Sequence, residues 1–110
     1  MILPVKPGSV IQAGQIVSAT SPDLFIRTAG TLFHLELYED AIRQNEKAIE
    51  LLADKKQLAV AWNNKGVCLM SLKNENEAKE CFEQALLNDP SLSEARANLE
   101  KLSPSGGPSR

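Results

Sequence analysis

Apolar and small residues recur at helical spacing along most of this chain, and the pattern repeats itself. In SLSEARANLEKL, residues 91 to 102, the apolar positions are Leu92, Ala95, Leu99 and Leu102, one narrow stripe on an otherwise polar helix. Shifting the chain by 37 residues brings TLFHLELYEDAIRQNEKAI onto LMSLKNENEAKECFEQALL. Leu32 then falls on Leu69, Leu35 on Leu72, Ala41 on Ala78, Glu46 on Glu83 and Ala48 on Ala85. Upstream, Phe25 falls on Trp62 and Ala29 on Gly66. Each unit reads as a helix carrying a large residue, a small residue and a Leu, then a tight turn, then a second helix with alanines seven apart.

Helix-end chemistry places the boundaries. Ser21-Pro22 supplies a cap followed by a proline at the first helical position. Asp54 with Gln57 and Ser91 with Glu94 have capping-box spacing, and Asn74 with Glu77 is a weaker version. Glu39 to Arg43 and Glu75 to Lys79 are i,i+4 pairs in the favourable orientation. The turn Glu36-Leu37-Tyr38 has no evident cap and is placed by the repeat alignment alone. Helices are expected at about 22–36, 38–52, 55–72, 75–88 and 92–102.

The stretch AWNNKGVCLMSL puts Gly66 inside a helix, one turn after Trp62. A mid-helix Gly costs roughly 0.8–1 kcal/mol against Ala, so it needs a reason. Two antiparallel helices approach closely only where one supplies a small residue. Ala29 and Gly66 are expected to make such gaps on the first helix of each pair, with Ala41 and Ala78 on the second. Phe25 or Trp62 then fills the wedge where the pairs splay. A glycine that admits a ligand is the rival explanation.

From Ala59 to Leu92 the residues Trp62, Gly66, Leu69, Ala78, Phe82, Ala85 and Pro90 stand at signature spacing, and the segment resembles a tetratricopeptide repeat. Lys65 stands where that family usually has Leu before the Gly, and Leu69 where it has an aromatic. Pro22 to about Ala53 resembles a second, more divergent repeat through Phe25, Ala29, Leu32, Tyr38, Ala41 and Ala48. There Asn45 replaces the expected aromatic, and three extra residues precede the next unit, an added part-turn around 53–58. The resemblance implies an all-α, right-handed solenoid of antiparallel helix pairs. Residues 22–58 and 59–91 would be its two repeats and 92–102 a capping helix with a wetted outer face.

The ends read differently. SPSGGPSR, residues 103–110, is nearly devoid of apolar residues and is expected to be a disordered tail. In residues 1–21, Val10, Ala13 and Ile16–Val17 have the spacing of the second helix of a preceding repeat, and the same letters suit a short hairpin. If the helix holds, the chain is a piece of a longer array, and the apolar face of 9–19 could pair with a second copy.

Composition narrows the chemistry. A chain of 110 residues is one domain or part of one, and 43% apolar with only 5% aromatic residues predicts an aliphatic core. The net charge of −2, with mixed signs, gives no footprint for nucleic acid or an anionic membrane. No apolar run nears the ~18 residues of a membrane span. Cys68 and Cys81 lack metal-ligand spacing and read as buried small hydrophobes in a reducing, cytoplasmic compartment. His34 is the one histidine, and no phosphate loop or nucleophile elbow appears. No enzyme activity and no cofactor are expected.

What the resemblance implies instead is a protein-interaction module, with a concave wall lined by the first helix of each pair. On this chain the wall would carry Asp23, Ile26, Arg27, Gly30, Phe33 and His34, then Val60, Asn63, Asn64, Val67, Met70 and Ser71. Asn63 and Asn64 could clamp an extended peptide backbone, and Phe33, Val67 and Met70 could supply apolar contact. Ordinary exposed polar residues are the rival reading for the two asparagines, and packing against a neighbouring helix for Val67 and Met70. One subtype of the family grips the C-terminal carboxylate of heat-shock chaperones. Only Asn64 matches that clamp here. Ile26 and Gly30 stand where it uses Lys and Asn, and Glu94, where it uses Lys, would repel a carboxylate. No such clamp is expected, and a neutral or apolar peptide or a helix is the better fit.

Overall fold

The computed structural model describes residues 22–102. The helix expected in 9–19, the Ser21 cap and the tail at 103–110 lie outside the described residues. Five helices follow in order: α1 (Pro22–His34), α2 (Tyr38–Leu51), α3 (Lys55–Ser71), α4 (Glu75–Asn88) and α5 (Ser93–Leu102). Each packs against the next in the chain, and α5 also reaches back to α3. No strand occurs among the described residues. This is an all-α solenoid of helix pairs with α5 laid on its end.

Both tight turns are built alike. Glu36 and Lys73, 37 positions apart, take positive φ of 63° and 67°. In the first turn Leu37 N–H donates to Leu32 C=O and Glu36 N–H to Phe33 C=O, both at 2.9 Å. In the second, Asn74 donates to Leu69 at 2.8 Å and Lys73 to Met70 at 2.9 Å. This pair of bonds is the Schellman closure, which satisfies the last carbonyls of α1 and α3. It ends α1 at His34 and α3 at Ser71, slightly short of the expected limits. It also supplies the boundary signal missing from Glu36-Leu37-Tyr38.

The other ends hold in part. Asp54 Oδ2 accepts from Gln57 N–H at 2.9 Å, capping α3. That cap starts the helix a full turn before Ala59, which accommodates the three extra residues. At Asn74 the side chain donates to the Glu77 carboxylate and caps no backbone N–H. The Ser91–Glu94 box does not form. The Ser91 hydroxyl and N–H instead both donate to Asp89 Oδ1, at 2.6 and 3.0 Å. These bonds, the hydroxyl's first, hold the Asp89 carboxyl below its ordinary range. Of the expected i,i+4 pairs, Arg43 turns instead to Asp40, three residues back on its own face, and Glu75 and Lys79 make no ion pair among the described residues. Exposed pairs of this kind gain too little to impose one geometry.

The core is a strip of small residues. Ala29, Ala41 and Cys68 form one cluster, with Leu32, Phe33, Tyr38 and Ile42 around it. Leu69, Ala78, Cys81 and Phe82 form the next, flanked by Ile42, Trp62, Val67 and Met70 among others. Ala59, Ala85 and Ala95 form the last, against Trp62, Leu86 and Leu92. Ile42 and Trp62 therefore stitch neighbouring clusters together.

Gly66 is explained by close packing. A Cβ there would stand 2.6 Å from Phe82 Cε1, and Phe82 is fully buried. The ring that occupies the gap is Phe82, from α4. Trp62 lies only half-buried between two clusters, with Lys65 Nζ 5.3 Å above its ring. Lys65, where a Leu was expected, also meets Glu46 of α2 at 3.0 Å and so ties the two helix pairs.

Candidate functional site

The 37-residue register sets Asn45 where the second pair has Phe82. Phe82 fills the space over Gly66, whereas Asn45 is too short to fill the space over Ala29. A cavity of about 250 Å³ remains, lined by Ala29, Gly30, Phe33 and His34 of α1, Asn45 of α2, and Asn64, Val67 and Cys68 of α3. Phe33 is held there edge-on against Tyr38, ring centroids 5.5 Å apart. A Cβ built on Gly30 meets nothing within 4 Å, so that wall is open.

Asn45 is 1% exposed. Its Nδ2 donates back to Ala41 C=O at 3.2 Å, and its Oδ1 has no hydrogen-bond partner. It is the one such buried side-chain atom among the described residues. A buried acceptor left unpaired costs about 1–3 kcal/mol.

The structure distributes the sequence-selected residues unevenly. Phe33, His34, Asn64 and Val67 come together around this cavity. Asn63 does not join them. It is 4% exposed, and its Oδ1 accepts from Asn98 Nδ2 of α5 at 3.0 Å. The free backbone clamp expected of Asn63 is therefore replaced by a tie to the end helix. Met70 is half-buried against the Phe82 cluster. Arg27 is exposed and pairs with Asp23 at 3.4 Å. Ile26 is half-buried, while Val60 and Ser71 are exposed, and none of these three lines the cavity. Sequence reasoning left Ala29, Asn45 and Cys68 out of the site. Asn45 was visible as a departure from the repeat pattern, but the consequence of that departure for the space around it was not.

Burial pushes the Cys68 and Cys81 thiols up to about 11, so both stay protonated and poorly nucleophilic at neutral pH. No group of three His, Cys, Asp or Glu among the described residues could hold a metal ion. No described helix is long and apolar enough to cross a membrane.

The tetratricopeptide repeat family model matches residues 59–92, the span that contains the Gly66–Phe82 contact. Residues 59–92 are a tetratricopeptide repeat. No curated protein matches the chain. Tetratricopeptide repeats mediate protein–protein interaction, and the helix-pair stacking of this chain is a solenoid of that type. A protein partner is thus the general expectation that the repeat carries.

Proposed function

We propose that this chain is a non-catalytic interaction module that binds a peptide or helix of a partner protein along the face made by α1 and α3. The observation that carries the reading is the cavity shared by those two helices, open at Gly30 and bordered by Phe33, Asn64 and Val67. Apolar walls with a few polar groups are what a recognition pocket needs. The exposed His34 lines its rim, and the exposed Val60 and Ser71 extend α3 beyond it. A carboxylate clamp is not proposed, because Ile26 and Gly30 bring no charge or amide and Glu94 is an exposed acid.

Gly30→Arg tests the reading, because the space around Gly30 admits a side chain without displacing anything. The full chain and this variant, checked for equal helicity, are used as baits beside an outer-face control, Glu80→Arg. Partners lost to Gly30→Arg alone support the α1–α3 face. Partners retained by Gly30→Arg overturn it.

A second reading, self-association, rests on the exposed Leu35, Leu51 and Leu87, the last 74% exposed. Sedimentation across a wide concentration range separates the two. A constant monomer removes self-association, and a concentration-dependent mass supports it.

A further inference from the structure

We propose that the Asn45 cavity receives one phenylalanine side chain of the partner protein, a ring from outside in the place that the second repeat fills from within. The proposal deepens the reading above and rests on it. The second repeat is the template. There Phe82, fully buried, presses against Gly66. In the 37-residue register Ala29 stands for Gly66 and Asn45 for Phe82. The shorter side chain leaves about 250 Å³ between α1, α2 and α3.

Size and lining both fit a phenyl group. An apolar cavity of about 150 Å³ already takes up benzene, so this one admits the ring and its methylene stem. It is smaller than the roughly 300–1,000 Å³ of pockets for drug-sized ligands, which limits it to a single side chain. Ala29, Phe33, Val67 and Cys68 give the ring apolar walls, and Gly30 leaves it an entrance. Asn45 does not obstruct it. Its Oδ1 has less than 1 Å² of accessible surface and makes no demand on an occupant. Its Nδ2 donates one N–H to Ala41 C=O and keeps a second. An aromatic face accepts an N–H where an aliphatic chain cannot.

The rings of this chain nearest the slot are already committed. Phe33 is a wall of the cavity, Tyr38 packs edge-on against it, and Phe82 closes the second repeat. The third phenylalanine, Phe25, is half-buried on α1, and a second copy would present it only by self-association, which the test separates. Asn64 lines the same cavity with a donor and an acceptor for the backbone that carries the ring.

The test uses the full isotope-labelled chain and follows the Val67 methyl resonances by NMR. The probe is N-acetyl-phenylalaninamide, compared with N-acetyl-leucinamide. A seated phenyl should give the Val67 methyls a ring-current shift. The leucine compound fills the slot less completely and should bind about threefold more weakly or worse. Asn45→Phe supplies the ring from within and should abolish the shift. If that variant fails to fold, Gly30→Leu blocks the entrance instead. No Val67 shift at tens of millimolar phenylalanine probe overturns the proposal, as does equal binding of the two compounds. A shift that persists in whichever blocked variant folds also overturns it. Val67 shifts that grow with protein concentration alone and vanish in Phe25→Ala would assign the ring to a second copy, and the partner assignment would fall. If the probe fails while Gly30→Arg still loses its partners, the interaction reading stands and only the phenyl assignment falls. If the probe binds while Gly30→Arg keeps every partner, both fall.

Discussion

The Phe82 ring lies so close over Gly66 that a methyl group at that position would come within 2.6 Å of it. At Gly30, one helix pair earlier, the same methyl would meet nothing. One substitution should therefore have opposite signs at two glycines. Gly30→Ala gains the helix preference of Ala, about 0.8–1 kcal/mol. Gly66→Ala gains that too but overpacks a buried ring, at about 1–3 kcal/mol. The expected result is a net loss of up to about 2 kcal/mol. Urea denaturation of both variants checks this, and a stabilised Gly66→Ala would refute the close-packing account.

Asn45→Phe should raise stability. It removes an unpaired buried oxygen, whose cost is about 1–3 kcal/mol, and adds apolar contact in space that is already present. A rise in the urea midpoint with unchanged slope is the expected outcome. A fall would mean that the first repeat cannot accept the ring that the second one uses.

The end helix is tied to the second repeat through Asn98 and Asn63. Asn98→Ala leaves the buried Asn63 Oδ1 without its donor and should cost about 1–3 kcal/mol. In the double variant with Asn63→Ala the loss should be smaller than the sum of the two single losses. Additive losses in that double-mutant cycle would show that the bond contributes nothing of its own.

Glu36 and Lys73 adopt the left-handed conformation that a side chain disfavours by roughly 1–2 kcal/mol. Replacing Lys73 by Gly relieves that strain, although Gly also loses more chain freedom on folding. The balance should favour the variant by up to about 1 kcal/mol, visible as a higher melting temperature. Lys73→Val should do the reverse.

The two buried thiols carry a pH signature. Their folded-state pKa of about 11 lies above the ordinary 9.0, because burial disfavours the thiolate. The unfolded chain therefore releases these protons first. The stability they contribute is complete below pH 9 and is lost as pH rises towards 11. A Cys68→Ala, Cys81→Ala variant should show a shallower fall in melting temperature over that range. At pH 8 the wild-type thiols should react with an aromatic disulfide reagent far more slowly than in denaturant. Equal rates would place them in water.

The helices and their order were legible because several independent signals agreed: the 37-residue register, the Asp54 cap and the apolar stripe of α5. Pairwise geometry was less accessible. Spacing set Gly66 beside Trp62, but the ring that needs the gap comes from Phe82 on another helix. Helical phase set Asn63 on the same wall as Asn64, yet α5 arrives with Asn98 and buries it. Ser91 had box spacing to Glu94, but the nearer Asp89 competes for its hydroxyl and wins. Asn45 showed in the sequence as a departure from the repeat. What it leaves behind, an empty volume and an orphan oxygen, exists only once three helices are assembled.

Trp62 has a practical consequence. It is the protein's one indole, set between two core clusters, beside an ammonium group that reaches across to Glu46 on the preceding pair. Its emission therefore reports on the seam between repeats, while circular dichroism reports on the helices themselves. Comparing the two signals during unfolding turns a question about repeat architecture into an optical one. A red shift that precedes loss of helix would mean that the pairs separate before they melt.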